Sequence, residues 1–217
     1  MKPLFAIVIL AFLVMVAVPT VGGGQSPAKP ASTVTDAEYE VFSAYINSEF
    51  TGDRGKDRVG HRVLRIVIAD KTQSDMDDDE LRDDDGKQIA WKKISGLLHK
   101  QATRLQASTL DSFRRNSTVQ VNFGRSFHLP VAYELVDKAD FDAIFTKGGW
   151  WTGFYKKYPK SQGFLTLSRA GFSPDGKQAL FYASNGCGGK CGTGTYVVME
   201  RTDSGWKILK EILLWIS

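Results

Sequence analysis

The hydrophobic positions in the first two thirds of the chain mostly follow a helical spacing. From Asp36 to Phe50 the apolar residues recur three or four positions apart, which predicts a helix capped by Thr35 or Asp36. The same spacing predicts helices over Lys87 to His99, Thr109 to Arg115, Asp137 to Phe145 and Trp150 to Tyr158. Runs rich in β-branched or alternating residues predict strands over His61 to Ala69, Thr118 to Phe123 and Val131 to Val136.

After Gly163 the pattern changes to short apolar runs separated by turn residues. Four strands are predicted, over Phe164 to Phe172, Gln178 to Ser184, Thr193 to Arg201 and Trp206 to Trp215. Such closely spaced turns are typical of an antiparallel meander, and the almost continuously apolar last run favours a central strand. We therefore expect an α+β fold, with the N-terminal helices on one face of a mainly antiparallel sheet that ends in a four-strand meander.

The N-terminus has the composition of a targeting segment. Lys2 is followed by an apolar run from Leu4 to Val18 and then by small residues, which predicts that residues 1–23 are a secretory signal. The alternative is an uncleaved membrane anchor, although a span of the bilayer needs about 20 apolar residues. Residues 24–35 have a linker composition, and residues 36–217 are expected to form a single domain. The chain is then periplasmic or secreted, and it meets a membrane only if the signal segment is retained.

Charge is distributed unevenly along the chain. The net charge is +4, but Asp75 to Asp85 carries eight acids and one Arg, and Lys87 to Arg115 carries seven basic residues and one Asp. Calcium is one possible ligand of the acidic block, with Asp77, Asp79, Asp83 and Asp85 as weak candidates. The order of an EF-hand loop is absent, however, and a solvated loop that balances the basic segment is the other interpretation. The signal segment and the acidic block argue against a nucleic-acid partner.

The two cysteines, Cys187 and Cys191, lie in a glycine-rich segment. An exported chain meets an oxidising compartment, which predicts a disulfide between them. A redox motif usually has two intervening residues and not three, and a zinc site would need two further ligands from the three histidines. The glycines, including Gly188 and Gly189, would also let a ligand approach the backbone closely. No cofactor is predicted.

Three other residues are candidates for binding. Trp150 falls outside the helical stripe of aromatic residues that follows it, so it is predicted to be exposed. Arg169 follows Ser168 within a predicted strand, so if Ser168 packs inward, Arg169 points outward as a surface charge or an anion anchor. His128 precedes Leu129 and Pro130 and has no partner in any recognisable catalytic motif.

The C-terminal third resembles a group of exported bacterial proteins without a characterised activity. The resemblance includes Phe154-Tyr-x-x-Tyr158-Pro, Leu167-Ser-Arg-Ala-Gly-Phe172, Cys187-Gly-x-x-Cys191-Gly-x-Gly194-x-Tyr196 and Trp215-Ile-Ser217. A less specific likeness covers Val67-Ile-Ala-Asp-Lys-Thr72 and Thr109-x-x-x-Phe113-x-x-Asn116. The group implies export but no catalytic residue.

These patterns leave two classes of function open. The first hypothesis is a non-enzymatic exported module that binds an unknown ligand or an envelope protein. The alternative is a hydrolase-like or redox enzyme that uses His128, Arg169 or the cysteines. Either function is compatible with a cone-shaped fold of the nuclear-transport-factor-like type, which a deep cavity inside the curve of the sheet would indicate.

Overall fold

The computed structural model describes residues 31–51, 55, 60–74 and 91–217. The predicted signal segment and the candidate calcium ligands Asp77, Asp79, Asp83 and Asp85 lie outside these residues. The helices are α1 (Asp36–Ile46), α2 (Trp91–Gln101), α3 (Ala107–Asn116), α4 (Lys138–Thr146) and α5 (Trp150–Lys157), and a π-helical turn follows α1 at Asn47–Thr51. None of the helices in the described ranges combines the length and the hydropathy that a membrane span requires.

Seven strands form one mixed sheet. They are β1 (Arg65–Ala69), β2 (Ala132–Val136), β3 (Ser161–Leu167), β4 (Gly171–Phe172), β5 (Gln178–Gly186), β6 (Gly192–Thr202) and β7 (Gly205–Ile216). Their order across the sheet is β2-β1-β3-β5-β6-β7, and β4 pairs with β5. β1 is parallel to β2 and β3, whereas the remaining pairs are antiparallel. The α+β class and the C-terminal meander are confirmed.

Helices cover both faces of the sheet, and the expectation that they lie on one face is wrong. On one face, Ile66 and Ile68 of β1 pack in the same cluster as Phe42 and Ile46 of α1. Successive residues of a strand point to opposite faces, so Val67 faces the other way and packs with α4 and α5. That second face also carries α2 and α3, which pack on strands β5 to β7.

The face under α1 is filled by side chains. The rings of Tyr39, Phe42 and Tyr45 on α1 pack edge-to-face against Phe123, Phe127 and Phe181. These aromatic pairs occupy the place where a cone fold would have its cavity. The cone-fold alternative therefore finds no support in the described part of the chain.

Strand β7 lies at the edge of the sheet and not at its centre. Its apolar residues contact both layers, since Trp206 and Ile208 pack in the α1 cluster and Leu209 and Ile212 in the α2–α3 cluster. The continuous apolar run in β7 therefore arises because helices cover both of its faces, although it has only one neighbouring strand. Two register shifts in the β6–β7 pairing bend this edge, which is how proteins discourage edge-to-edge association.

One further segment differs from the prediction, since Thr118 to Phe123 forms no regular strand: only Asn122 makes an isolated bridge, to Lys71, while the ring of Phe123 packs against α1. At the start of the domain, the predicted cap is confirmed, because Thr35 forms a capping box with Glu38 on α1. Val34 is buried as well, so the packing of the domain begins just before Asp36.

Candidate functional site

A cleft of about 310 Å³ opens at the carboxyl ends of the parallel strands. The chain moves from β1 to β2 on one side and then returns past β1 to β3 on the other. In open α/β sheets, ligands commonly bind beyond the carboxyl ends of the strands where the strand order reverses in this way. The cleft is at the low end of the roughly 300–1,000 Å³ that is usual for small-molecule sites.

The segment that leaves β1 forms one wall of the cleft. Asp70, Lys71, Thr72 and Gln73 follow the strand directly and all line the cleft. Backbone hydrogen bonds hold this segment in place: Thr72 N donates to the Val121 carbonyl at 2.8 Å, and Gln73 N donates to the Leu167 carbonyl at 2.8 Å. A segment held at both sides can present its side chains with little loss of entropy on binding.

The opposite wall is the first turn of α4. Asp137 caps this helix by accepting a hydrogen bond from Ala139 N at 2.7 Å, which leaves its carboxylate at the rim of the cleft. Lys138 lines the same rim, and its ammonium group pairs with Asp142 one turn further on. Phe141 points into the cleft from the next turn.

The floor of the cleft combines an aromatic surface with a polar strip. Phe141 stacks on Phe164 of β3, with ring centroids 4.0 Å apart and planes 19° apart. Beside Phe164, the hydroxyl of Thr166 donates to the side-chain amide oxygen of Gln73 and also contacts the Ser184 hydroxyl. An apolar surface with a few convergent polar groups is the usual composition of a ligand pocket.

Two charged side chains at this site have no partner in the described ranges. Lys71 is exposed, and within residues 31–51, 55, 60–74 and 91–217 neither its ammonium group nor the Asp70 carboxylate forms an ion pair. Opposite charges on neighbouring residues, next to the amides of Gln73 and Gln120, provide both donors and acceptors. The cleft is therefore suited to a small molecule that carries both charges or several hydrogen-bonding groups.

Arg169 is not on the surface, and both predicted roles for it are wrong. Its side chain is 1% exposed and forms a bidentate ion pair with Glu38, which is equally buried. β3 ends at Leu167, so strict alternation no longer applies at Ser168 and Arg169, and both are buried. The guanidinium nitrogens donate to the Glu38 carboxylate and to the carbonyls of Ala31 and Thr33, so they are not available to an external anion.

His128 is exposed, but its surroundings indicate a structural position. Its backbone N donates to the Ser43 hydroxyl at 2.9 Å, and its carbonyl accepts from the Asn47 side chain at 3.2 Å. These contacts fix the loop on the end of α1. The structure thus ties His128, Arg169 and the cysteines to separate partners and does not assemble them into one site.

Cys187 and Cys191 form the predicted disulfide. The loop that they close is the β5–β6 connection, and the Tyr155 hydroxyl donates to the Cys187 carbonyl at 2.9 Å. Gly188 is partly buried and Gly189 is exposed, with nothing near the position of a Cβ at Gly189. The cleft described above and two smaller cavities in the described residues do not include this loop, so ligand binding by Gly188 and Gly189 stays a prediction.

Trp150 is 68% exposed, as its position outside the aromatic stripe predicted. Its backbone has φ 44°, a left-handed conformation that bulky residues rarely adopt. The four stripe residues Trp151, Phe154, Tyr155 and Tyr158 pack as a cluster beneath it, which confirms their core role. Trp150 lies outside the cleft and contributes nothing to its lining.

Sequence reasoning did not identify the cleft residues as a site. Lys71, Gln73, Gln120 and Thr166 carry no motif, and they come together only because β1 is parallel to both of its neighbours. One signal was present: the resembling segment Val67-Ile-Ala-Asp-Lys-Thr72 runs directly from β1 into the cleft. Polar residues at the carboxyl end of a buried strand are a known signature of binding sites in parallel sheets.

Comparison of the chain with protein-family models, with curated proteins and with solved structures found no match. The geometry of the cleft is accordingly the basis on which a role can be assigned to this protein.

Proposed function

We propose that this protein is an exported, non-catalytic module that binds a small polar molecule in the cleft at the carboxyl ends of β1 and β2. The observation that carries the proposal is the position of the cleft, at the reversal of strand order, with an aromatic floor and a charged rim. The disulfide supports export, because such bonds persist in oxidising compartments.

The lining favours a zwitterion such as an amino acid or a short peptide. Lys71 offers a cation for a carboxylate, and Asp70 offers an anion for an ammonium group. The rings of Phe141 and Phe164 provide an apolar surface for the side chain of the ligand. A volume near 310 Å³ holds a molecule of this size and is too small for a folded partner.

A thermal-shift screen of residues 24–217 against amino acids, short peptides, amino sugars and nucleotides tests the proposal. A ligand present at 100 times its dissociation constant stabilises the native state by about 2.7 kcal/mol, which raises the melting temperature measurably. We expect a zwitterionic compound to produce such a shift. The Lys71→Gln and Asp70→Asn variants should each weaken its binding by about tenfold or more, because each removes a charge-assisted hydrogen bond.

Lys177→Gln is the matched control, since Lys177 is an exposed lysine in the β4–β5 turn, away from the cleft. The Lys177→Gln variant should bind the same compound with the same affinity as the unsubstituted protein. If the screen yields a ligand whose affinity is unchanged in both cleft variants, the cleft is not the binding site. If no compound in the panel shifts the melting temperature, the small-molecule proposal fails.

A further inference from the structure

We propose that the cleft recognises a free carboxylate on its ligand, and that the side chain of Gln73 is the residue that selects this group. The inference rests on the proposed function and names the chemical group that the site binds. Its basis is a chain of three polar side chains at the base of the cleft, Gln73, Thr166 and Ser184, which we call the polar row. The direction of the hydrogen bonds along this row decides which end of the Gln73 amide is left for the ligand.

The register of the sheet builds the polar row. Thr166 of β3 lies directly opposite Ser184 of β5 in the antiparallel pairing, so their hydroxyls share one face of the sheet and meet at 2.7 Å. Gln73 lies on the other side of β3, where its backbone N donates to the Leu167 carbonyl at 2.8 Å. From there its side-chain oxygen reaches the Thr166 hydroxyl, at 2.5 Å. Strand pairing thus holds all three side chains in place.

The hydrogen bonds along the polar row run in one direction. A contact of 2.5 Å is within the range of an O–H···O hydrogen bond and below that of an N–H···O hydrogen bond, so the amide oxygen of Gln73 faces Thr166. The Thr166 hydroxyl gives its one proton to this oxygen, and it therefore accepts from Ser184. The opposite direction would leave the Ser184 proton without an acceptor in the described part of the chain.

This direction leaves the amide nitrogen of Gln73 for the ligand. Gln73 lines the cleft, and its Nε2 group donates to no side chain or carbonyl within the residues that the structure describes. An amide nitrogen carries two protons and accepts no hydrogen bond, so this group can bind only an acceptor. The polar row therefore fixes Gln73 as a hydrogen-bond donor towards the cleft.

Lys71 places a second donor beside Gln73. Thr72, between them, is fully buried, and its hydroxyl accepts from Val121 N at 2.9 Å. Side chains alternate along an extended segment, so Lys71 and Gln73 share the side opposite to Thr72. Their Cα atoms are about 6.5 Å apart at the rise of an extended chain, and both long side chains can reach one group. A carboxylate, with two oxygens that only accept, fits this pair of donors.

A pair of donors also selects against an amidated ligand. A carboxamide has one oxygen that can accept, but its nitrogen would direct protons at the protons of Lys71 or Gln73. A site that is built to hydrogen-bond one group rejects an analogue that lacks it, because the polar groups of the site are then left unpaired. The cleft should therefore distinguish an amino acid or a peptide with a free carboxylate from the same compound as its amide.

Calorimetric titration of L-phenylalanine, L-leucine and L-alanyl-L-leucine, each as the free acid and as the C-terminal amide, tests this inference. We expect residues 24–217 to bind at least one of the acids, and to bind its amide about tenfold more weakly or worse. Gln73→Glu keeps the size of the side chain and the acceptor for Thr166, but it replaces the two N–H donors with a charged oxygen. This variant should bind the acid about tenfold more weakly or worse, and its preference for the acid over the amide should fall by a similar factor.

Thr166→Val tests the orientation of Gln73 separately from its donor group. The variant keeps the Gln73 side chain but removes the hydroxyl that holds its oxygen, so the amide can turn and offer either end to the ligand. The preference for the acid should fall, while the affinity for the amide should stay equal or rise. A purely structural role of Thr166 would instead weaken the binding of both compounds alike.

Gln101→Glu is the matched control, because Gln101 is an exposed glutamine on α2 and lies outside the cleft. It should leave both affinities unchanged. If an acid binds but the acid-to-amide ratio is unchanged in Gln73→Glu or in Thr166→Val, or changes equally in Gln101→Glu, the present inference is overturned and the proposed function stands. If none of these compounds binds the unsubstituted protein, both proposals fail.

Discussion

At the scale of single residues, Arg169 and Glu38 connect the N-terminal segment to the sheet. The Arg169 Nε and Nη2 groups donate to the two Glu38 oxygens at 2.8 and 2.9 Å. Arg169 also donates to the carbonyls of Ala31 and Thr33, and Glu38 accepts from Ala170 N. Every charged atom thus has a partner, which offsets the cost of burying both groups.

Arg169→Met should destabilise the protein by about 3–5 kcal/mol, because it leaves the Glu38 carboxylate buried without its cation. Denaturant unfolding followed by tryptophan fluorescence measures this loss, provided that the slope with denaturant is unchanged. Removing both charges, as in Arg169→Met/Glu38→Gln, should recover part of the stability. The result contradicts our interpretation if the double variant is less stable than Arg169→Met.

Arg104→Met is the matched control for this experiment. Arg104 pairs with Glu200 at 2.7 Å, but its side chain is 63% exposed. Solvent screens such pairs, and they contribute about 0–1 kcal/mol. If Arg104→Met and Arg169→Met lose similar amounts of stability, the burial of the Arg169–Glu38 pair is not the reason for the effect of Arg169→Met.

The position of Arg169 shows where sequence reasoning failed at this scale. Alternation along a strand predicted its direction, but β3 ends two residues earlier. Its partner is 131 positions away in the sequence, and no local pattern joins the two. The exposure of Trp150 could be predicted, in contrast, because the helical stripe that excludes it is local.

At the scale of elements, the β5–β6 hairpin explains the glycines near the cysteines. A Cβ at Gly194 would lie within 2.4 Å of both Trp215 and the Tyr182 hydroxyl, which accepts a hydrogen bond from the Trp215 indole at 2.8 Å. The Trp151 ring covers Gly186 in a similar way. Glycine is required at position 194 because the Trp215 ring packs directly on the backbone, and at Gly186 a Cβ would come within 3.2 Å of the Trp151 ring.

Gly194→Ala should therefore cost about 1–3 kcal/mol, the usual cost of overpacking, because the strand cannot move away from Trp215. Gly189→Ala, in the same hairpin, has nothing within 4 Å of the new Cβ and should change stability by less than about 0.5 kcal/mol. Thermal unfolding of both variants and of the unsubstituted protein measures these differences in stability. If Gly194→Ala is as stable as Gly189→Ala, the Trp215 ring can move away from the new Cβ, and the contact does not require glycine.

The elements themselves were largely predictable, whereas their arrangement was not. The five described helices and the strands of the meander follow local periodicity, and so their existence could be read from the sequence. The parallel pairing of β1 with β2 and β3 depends on contacts between distant segments. Since the cleft exists only because of that pairing, local patterns could not locate it.

At the scale of the whole molecule, segments that are distant in the sequence meet around the carboxyl end of β3. Arg169, two residues after β3, donates to the carbonyls of Ala31 and Thr33, and Thr166 of β3 lines the cleft. The N-terminal segment and the cleft are therefore both tied to this one strand.

The folded domain includes residues on the N-terminal side of α1. A chain that begins at residue 36 lacks the Thr35 cap of α1 and the buried side chain of Val34, and it deprives Arg169 of two carbonyl acceptors. Relative to a chain that begins at residue 31, we expect a loss of about 2.5–4 kcal/mol, from about 1 kcal/mol for the cap and about 1.5–3 kcal/mol for the apolar burial. Thr35→Ala and Val34→Ala in the longer chain separate the two contributions in denaturant unfolding. Equal stability of the two chains would mean that residues 31–35 are a linker after all, and that the Arg169 contacts with them are not maintained in solution.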